Sequence, residues 1–115
     1  MATRSRIGVK IGNKKYLSIY CHWDGYPSGV GKLLLEQYDH IDKVMYLMSR
    51  GDCSSLHQNS FYADRGETGV DCAEHTNQND MKQEEHTYLF KDSVWYYCSD
   101  NGSFKKLTME IVNRN

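Results

Sequence analysis

The sequence predicts an α+β fold, in which two short helices pack on one face of an antiparallel sheet of four to five strands. Three observations support this fold class. Segments near both ends of the chain alternate apolar and polar side chains, as half-buried strands do. Turn motifs separate those segments, and the middle of the chain has apolar residues at helical spacing. This order of elements along the chain, with strands first, then helices and then strands again, is typical of an α+β domain. The length of 115 residues indicates that residues 1–115 form a single domain.

Two alternating segments near the start, at 6–11 and 15–23, predict a β-hairpin with its turn at Gly12-Asn13. Neighbouring residues of a strand point to opposite faces of the sheet. In the second strand, the aliphatic face is expected to join the core, and it carries Leu17, Ile19, Cys21 and Trp23. The other face is either covered by later chain or used for binding, and it carries Tyr16, Ser18, Tyr20 and His22.

Two helices are predicted after the hairpin. The first begins near Ser28, and the second follows an N-cap at Asp39 and ends at Gly51. The apolar stripes of both helices and the inward residues of the hairpin define the predicted core, which consists of Ile7, Val9, Ile11, Leu17, Ile19, Trp23, Leu33, Leu34, Val44, Met45 and Met48.

The pattern fades between residues 51 and 79, which is long for a loop without structure and is typical of functional or mobile segments. Strand signals return in TYLF and VWYYC, which flank a turn at residues 91–93. Asn101-Gly102 marks a further turn, and SFKKL is predicted as one more strand. The tail after this strand shows no clear preference.

Composition excludes several functional classes. The net charge is −1 and no basic block is present, which argues against non-specific nucleic-acid binding. No apolar run suits a signal peptide or a membrane span, so a cytoplasmic protein without a membrane partner is expected. The four cysteines are accordingly expected to be reduced thiols. Nine tyrosines hint at a recognition surface.

The segment YCHWDGYPSGVGKLLLEQY, residues 20–38, concentrates the reactive side chains. It is not a Walker A loop, because five residues separate Gly25 from Gly31-Lys32 and a leucine replaces the metal-binding hydroxyl. Two interpretations remain open. The start of the predicted helix can bind an anion through free N–H groups and Lys32, or its glycines only permit close packing.

Metal and catalytic sites have weaker support. The cysteines and histidines lack the paired spacing of zinc ligands, so no metal is expected, and no cofactor either. Cys21 and His22 are neighbours on a strand and point apart, whereas His22 and Asp24 share a face but lack a local nucleophile. No catalytic residues are therefore assigned. Arg65 in ADRGETGV can clamp a phosphate, or it can pair with a loop carboxylate.

The chain resembles a family of small, largely uncharacterised bacteriophage and prophage proteins. The resemblance rests on YCHWDGYP with the glycines and leucines after it, on the RGD-x-SSL pattern at residues 50–56, and on ADRGETGV. The resemblance covers roughly the first seventy residues, and a weaker similarity extends to the segment YLFKDSVWYY. It implies a phage accessory protein in the cytoplasm of an infected bacterial host. Such proteins often counter host defence by binding a defence protein or a signalling nucleotide.

These arguments lead to a stoichiometric antagonist of host defence, with sequestration of a phosphate-bearing signalling nucleotide as the leading form. The alternative is a protein inhibitor, similar to an anti-CRISPR protein, that docks on a host defence protein. A small enzyme acting on a nucleotide comes third, and self-association into a homo-oligomer stays open. The predicted ligand-binding residues are Tyr16, Tyr20, His22, Asp24, Ser28, Gly29, Gly31, Lys32 and Arg65.

Overall fold

A computed structural model describes residues 2–100 and 102–114, and over these residues it contains eight strands and three α-helices. The strands are β1 (Ser5–Gly12), β2 (Lys15–Cys21), β3 (Cys53–Ser55), β4 (Ser60–Phe61), β5 (Ala73–His75), β6 (His86–Lys91), β7 (Val94–Ser99) and β8 (Lys105–Lys106). The helices are α1 (Lys32–Gln37), α2 (Ile41–Arg50) and α3 (Met109–Arg114). A π-helical turn, Pro27–Gly31, leads into α1, and two 3₁₀ turns cover Tyr62–Arg65 and Gln78–Met81.

The α+β class is confirmed, but the sheet is larger than predicted and only partly antiparallel. Its strand order is β4-β3-β2-β1-β6-β7-β8, with β5 also pairing with β2. The β1–β2, β2–β5, β3–β4, β6–β7 and β7–β8 pairs are antiparallel, whereas β1–β6 and β2–β3 are parallel. The sequence pattern missed the parallel pairs because alternation marks a strand without marking its partner.

Both predicted hairpins are present, and each closes through a two-residue turn. Gly12 pairs with Lys15, and Lys14 inside the turn has a φ of 54°. Lys91 pairs with Val94, and the two residues between them have φ values of 53° and 64°. Positive φ in such turns matches the twist of the flanking strands. Asn101 of the other predicted turn lies outside the described residues.

The core between the sheet and the helices contains most of the predicted residues. Ile7, Val9, Ile19, Leu34, Val44 and Met48 are buried there, and Leu17, Leu33 and Met45 are half-buried against them. Two predictions were wrong: Trp23 is 43% exposed and Ile11 is 38% exposed. The reason for Trp23 is that β2 ends at Cys21 and the chain turns at Asp24, whose φ is 58°, so strand alternation no longer applies.

All three helices contribute to this core, which corrects the prediction of two. Val112 of α3 joins the cluster that also contains Leu34 of α1 and Val44 of α2. The N-cap of α2 is His40 rather than Asp39, because the His40 Nδ1 atom accepts a hydrogen bond from the Asp42 backbone N–H at 3.1 Å. Asp39 instead pairs with Lys43 at 3.0 Å.

The opposite face of the sheet is covered by a smaller apolar cluster. Tyr16, Met81 and Leu89 are buried there, and Tyr96 and Phe104 pack against them. A Cβ atom on Gly8 would lie 2.6 Å from the Met81 sulfur, so the glycine in β1 makes room for the 3₁₀ turn that crosses it. The segment that looked like a loop in the sequence thus supplies β3, β4 and β5 and covers the second face.

Candidate binding surfaces

The predicted anion site at the first helix lacks free N–H groups at three of its positions. Pro27–Gly31 forms one π-helical turn in which the Gly29 N–H donates to the Tyr26 carbonyl at 2.9 Å, and the Val30 N–H donates to the Asp24 carbonyl at 2.9 Å. The Lys32 N–H donates back to the carbonyls of Gly29 and Pro27. Since these donors are used within the turn, they are not available to a phosphate.

The glycines of this turn are packing residues. A Cβ atom on Gly29 would overlap the carbonyl oxygen of Asp24, and one on Gly31 would lie 3.2 Å from the Tyr88 ring. The Tyr88 hydroxyl donates to the Gly25 carbonyl at 2.7 Å and also makes a hydrogen bond with the Gly31 backbone. Of the two interpretations left open by the sequence, this geometry favours close packing.

Several predicted site residues lie away from this turn. Tyr16 is buried in the second cluster, on the sheet face opposite to the helices. Arg65 donates to the Ser60 hydroxyl at 2.8 Å and lies over the Tyr62 ring, 5.3 Å from its centre. By contrast, Ser28 belongs to the turn and is half-buried, and Lys32 directly follows the turn and is exposed. Tyr16 therefore lies on the other side of the sheet from the helix start and cannot share a ligand with it.

Tyr20 and His22 are in direct contact, and Asp24 lies in the bend that follows them and contacts Tyr26. The Tyr20 hydroxyl and the His22 Nδ1 atom are 2.7 Å apart, and the His22 ring meets the Trp23 ring edge-on at 4.8 Å. The Tyr26 hydroxyl donates to the Asp24 carboxylate at 3.1 Å, and this bond raises the pKa of Tyr26. We call Tyr20, His22, Trp23, Asp24 and Tyr26 the aromatic turn surface.

Backbone hydrogen bonds fix the aromatic turn surface to the neighbouring strand. The His22 N–H donates to the Cys53 carbonyl at 3.1 Å, and the Trp23 N–H donates to the Ser54 carbonyl at 3.0 Å. The Tyr20 N–H donates to the Asp52 carboxylate at 2.8 Å. A polar cleft of about 230 Å³ adjoins the surface and is lined by Trp23, Asp24, Ser54, Ser55 and Gln58. The exposed rings are therefore presented on a fixed backbone.

The same geometry separates the groups that a catalytic site would need. His22 bonds Tyr20 through Nδ1, so this nitrogen is not held by Asp24. Cys21 is fully buried beside Cys53, and hydrogen bonding to Cys21, together with burial, raises the pKa of the Cys53 thiol. All four cysteines are free thiols. Among residues 2–100 and 102–114, no group of three histidine, cysteine or acidic side chains is arranged to hold a metal ion.

A larger cavity, which was not predicted from the sequence, lies between α3 and the described residues that connect β7 to β8. Its volume is about 560 Å³, and its described lining comprises Tyr97, Ser99, Gly102, Ser103, Lys105, Ile111 and Arg114. Two of these side chains are cationic and none is acidic. The strand pattern of VWYYC and the lysines of SFKKL can be recognised in the sequence. The cavity also depends on α3, however, and the sequence of this helix did not predict an element.

Hydrogen bonds hold two walls of this cavity. The Tyr97 hydroxyl and the His86 Nδ1 atom are 2.6 Å apart. Burial raises the pKa of Tyr97 to about 12 and lowers the pKa of His86, so both side chains are neutral at pH 7. The Gly102 carbonyl accepts from the Lys82 ammonium at 2.8 Å and from the Cys98 thiol at 3.1 Å.

Comparison of the chain with protein-family models, with curated proteins and with solved structures finds no match. The resemblance to small phage proteins therefore stays a prediction. Within the described part of the chain, none of the helices has both the length and the apolar composition needed to cross a membrane.

Proposed function

We propose that the protein acts by stoichiometric binding and that the aromatic turn surface docks on a protein partner. The observation that carries the proposal is the exposure of two large rings on a fixed turn, 43% for Trp23 and 37% for Tyr26. Tryptophan and tyrosine dominate the binding energy of protein interfaces, and fixed side chains lose little entropy on docking. The polar cleft beside Trp23 supplies the rim that such an interface needs.

Charge favours a protein over a nucleotide at this surface. The Asp24 carboxylate stands between the two exposed rings along the chain and lines the cleft. A phosphate placed there would meet a like charge, and the N–H donors of Gly29 and Val30 are already used. Of the binding functions predicted from the sequence, the protein inhibitor is therefore better supported here than the nucleotide sponge.

The resemblance to phage proteins supplies the biological context of this proposal. In that context the partner is a bacterial defence protein, and the site of action is the cytoplasm of the infected host. A non-enzymatic role agrees with the burial of Cys21 and with the bonding of His22 to Tyr20. An enzyme acting on a nucleotide remains the least supported of the three functions.

Replacement of Trp23 tests the docking surface. We expect Trp23→Ala to lose capture of the host partner and defence antagonism in infected cells together, since an interface anchor typically contributes about 2 kcal/mol or more, roughly thirtyfold in affinity. Tyr46→Ala is the matched control, because Tyr46 is 62% exposed on α2 and does not line the cleft beside Trp23. Thermal unfolding of both variants checks that the fold is intact.

Two results would contradict the proposal. One is full antagonism by Trp23→Ala. The other is a wild-type homo-oligomer, seen by light scattering, that Trp23→Ala converts to a monomer while antagonism persists. That result would make the aromatic turn surface an interface between copies of the chain.

A further inference from the structure

The cavity between α3 and the β7–β8 connection has the composition of a ligand site. Its volume of about 560 Å³ is in the range of small-molecule sites, roughly 300–1,000 Å³. The Tyr97 ring and Ile111 provide apolar surface, whereas Ser99 and Ser103 provide hydroxyl groups. It is also distinct from the aromatic turn surface: β1 and β6 separate β2, which leads into that surface, from β7 and β8.

The charged side chains of the described cavity lining are both cationic. Lys105 and Arg114 line the cavity from opposite sides, one on β8 and the other on α3. Arg114 forms an ion pair with Glu110 at 3.7 Å, and both side chains are largely exposed, so this pair competes weakly with a bound anion. Asp100 and Glu85 act electrostatically on His86, and neither is among the described lining residues of the cavity.

Contacts within the fold hold the walls of the cavity in place. The Lys82 and Cys98 side chains hold the Gly102 carbonyl from behind, and His86 holds the Tyr97 hydroxyl. On the other side, α3 packs against the π-helical turn at Pro27–Gly31. The glycine-rich motif thus supports the helix that forms one wall of this cavity.

We propose that this cavity binds a nucleotide, with Lys105 and Arg114 on the phosphates and with Tyr97 and Ile111 against the base and sugar. An arginine can bind a phosphate through two parallel hydrogen bonds, and a lysine adds a point charge. The proposal does not depend on the docking function proposed above, because it uses other residues at another part of the sheet.

Reversal of a single charge tests the proposal, with ATP, inorganic phosphate and adenosine as calorimetric probes. We expect ATP to bind more tightly than either of the other two, because only ATP engages both the cations and the apolar wall. Lys105→Glu is expected to weaken ATP binding at least tenfold. The matched control is Lys106→Glu: it is the next residue of β8 and makes the same charge change, but it pairs with Tyr96 of the opposite face. We expect it to change affinity less than twofold.

A second variant keeps both cationic side chains but fills the volume of the cavity. Ser103→Trp places a large ring in the cavity from an exposed position, so we expect ATP binding to be lost while thermal unfolding is unchanged. The proposal is overturned if ATP does not bind, if adenosine or inorganic phosphate binds as tightly as ATP, or if Lys105→Glu and Lys106→Glu weaken binding equally. Full binding by Ser103→Trp would also place the ligand elsewhere.

Discussion

At the scale of single residues, the glycines of the π-helical turn show how one missing side chain shapes a surface. Gly29 lets the turn approach the Asp24 carbonyl, and the Val30 N–H bonds that same carbonyl. This contact supports Asp24 at a φ of 58°, in the left-handed region that aspartate tolerates better than most non-glycine residues. The exposure of Trp23 and Tyr26 follows, since both flank this tight bend.

Gly29→Ala is therefore expected to lower the free energy of unfolding by about 1–3 kcal/mol, the usual result of forcing atoms into a packed site. Gly31→Asp is expected to destabilise the protein further, because its carboxylate would be buried against Tyr88. Gly12→Ala is the control, since its Cβ atom would have one neighbour, 3.8 Å away. Urea unfolding measures all three, and an unchanged midpoint for Gly29→Ala would contradict the packing role.

At the scale of elements, β5 shows how polar residues hold a short strand in place. Ser18 of β2 bonds the His75 Nε2 atom at 2.7 Å and accepts from the Arg6 Nε–H at 2.9 Å. Burial lowers the pKa of His75, the nearby Arg6 charge lowers it further, and Asp80 acts in the opposite direction. The network thus favours a neutral imidazole that accepts the serine proton.

The network makes stability depend on pH. Since the folded-state pKa of His75 lies below the ordinary value of about 6.5, the unfolded chain takes up the proton first. Stability is then fully present above pH 6.5 and is lost as the pH falls. We expect the urea midpoint to drop between pH 7.5 and pH 5.5, and to drop less in His75→Gln. His57→Gln, at an exposed position, should behave as the wild type. Equal slopes in all three proteins would refute the network.

The length of each element and the sequence separation of paired strands explain which parts of the fold could be predicted from the sequence. The two hairpins and α2 follow from alternation, turn residues and helical spacing, and all three are present. The strands of residues 53–75 are two or three residues long, too short for any period to show. The parallel pairing of β1 with β6 depends on contacts between residues about eighty positions apart, which local patterns do not encode.

The candidate site was predicted only in part, for similar reasons. Tyr20, His22 and Asp24 were found because they lie close together in the sequence. Trp23 was assigned to the core because the alternation of β2 was extended past the bend at Asp24. Lys105 and Arg114 were not predicted, because they line one cavity only after α3 packs against the π-helical turn.

At the scale of the whole molecule, the sheet is covered on both faces. The helices bury one face around Ile7 and Ile19, and the 3₁₀ turn with Met81 buries the other around Leu89. The central strand β1 carries residues of both layers, because Gly8 lies under Met81 and its neighbours Ile7 and Val9 enter the larger core. The two layers are thus connected through one backbone, and we expect them to unfold together.

Replacement of one core residue in each layer tests this cooperativity. Leu34→Ala in the larger core and Met81→Ala in the smaller are each expected to cost about 2–5 kcal/mol, because both side chains are fully buried. If the layers form one unit, both variants lower the urea midpoint without changing the slope of the transition. In a Trp23→Phe background, Trp95, buried beside Phe90 in the larger core, supplies a fluorescence probe of that layer, and circular dichroism reports the whole chain. The two signals should coincide in every variant, with Tyr46→Ala close to the wild type. If Met81→Ala shifts the dichroism transition but not the Trp95 transition, the second layer unfolds by itself and the single-domain prediction is wrong.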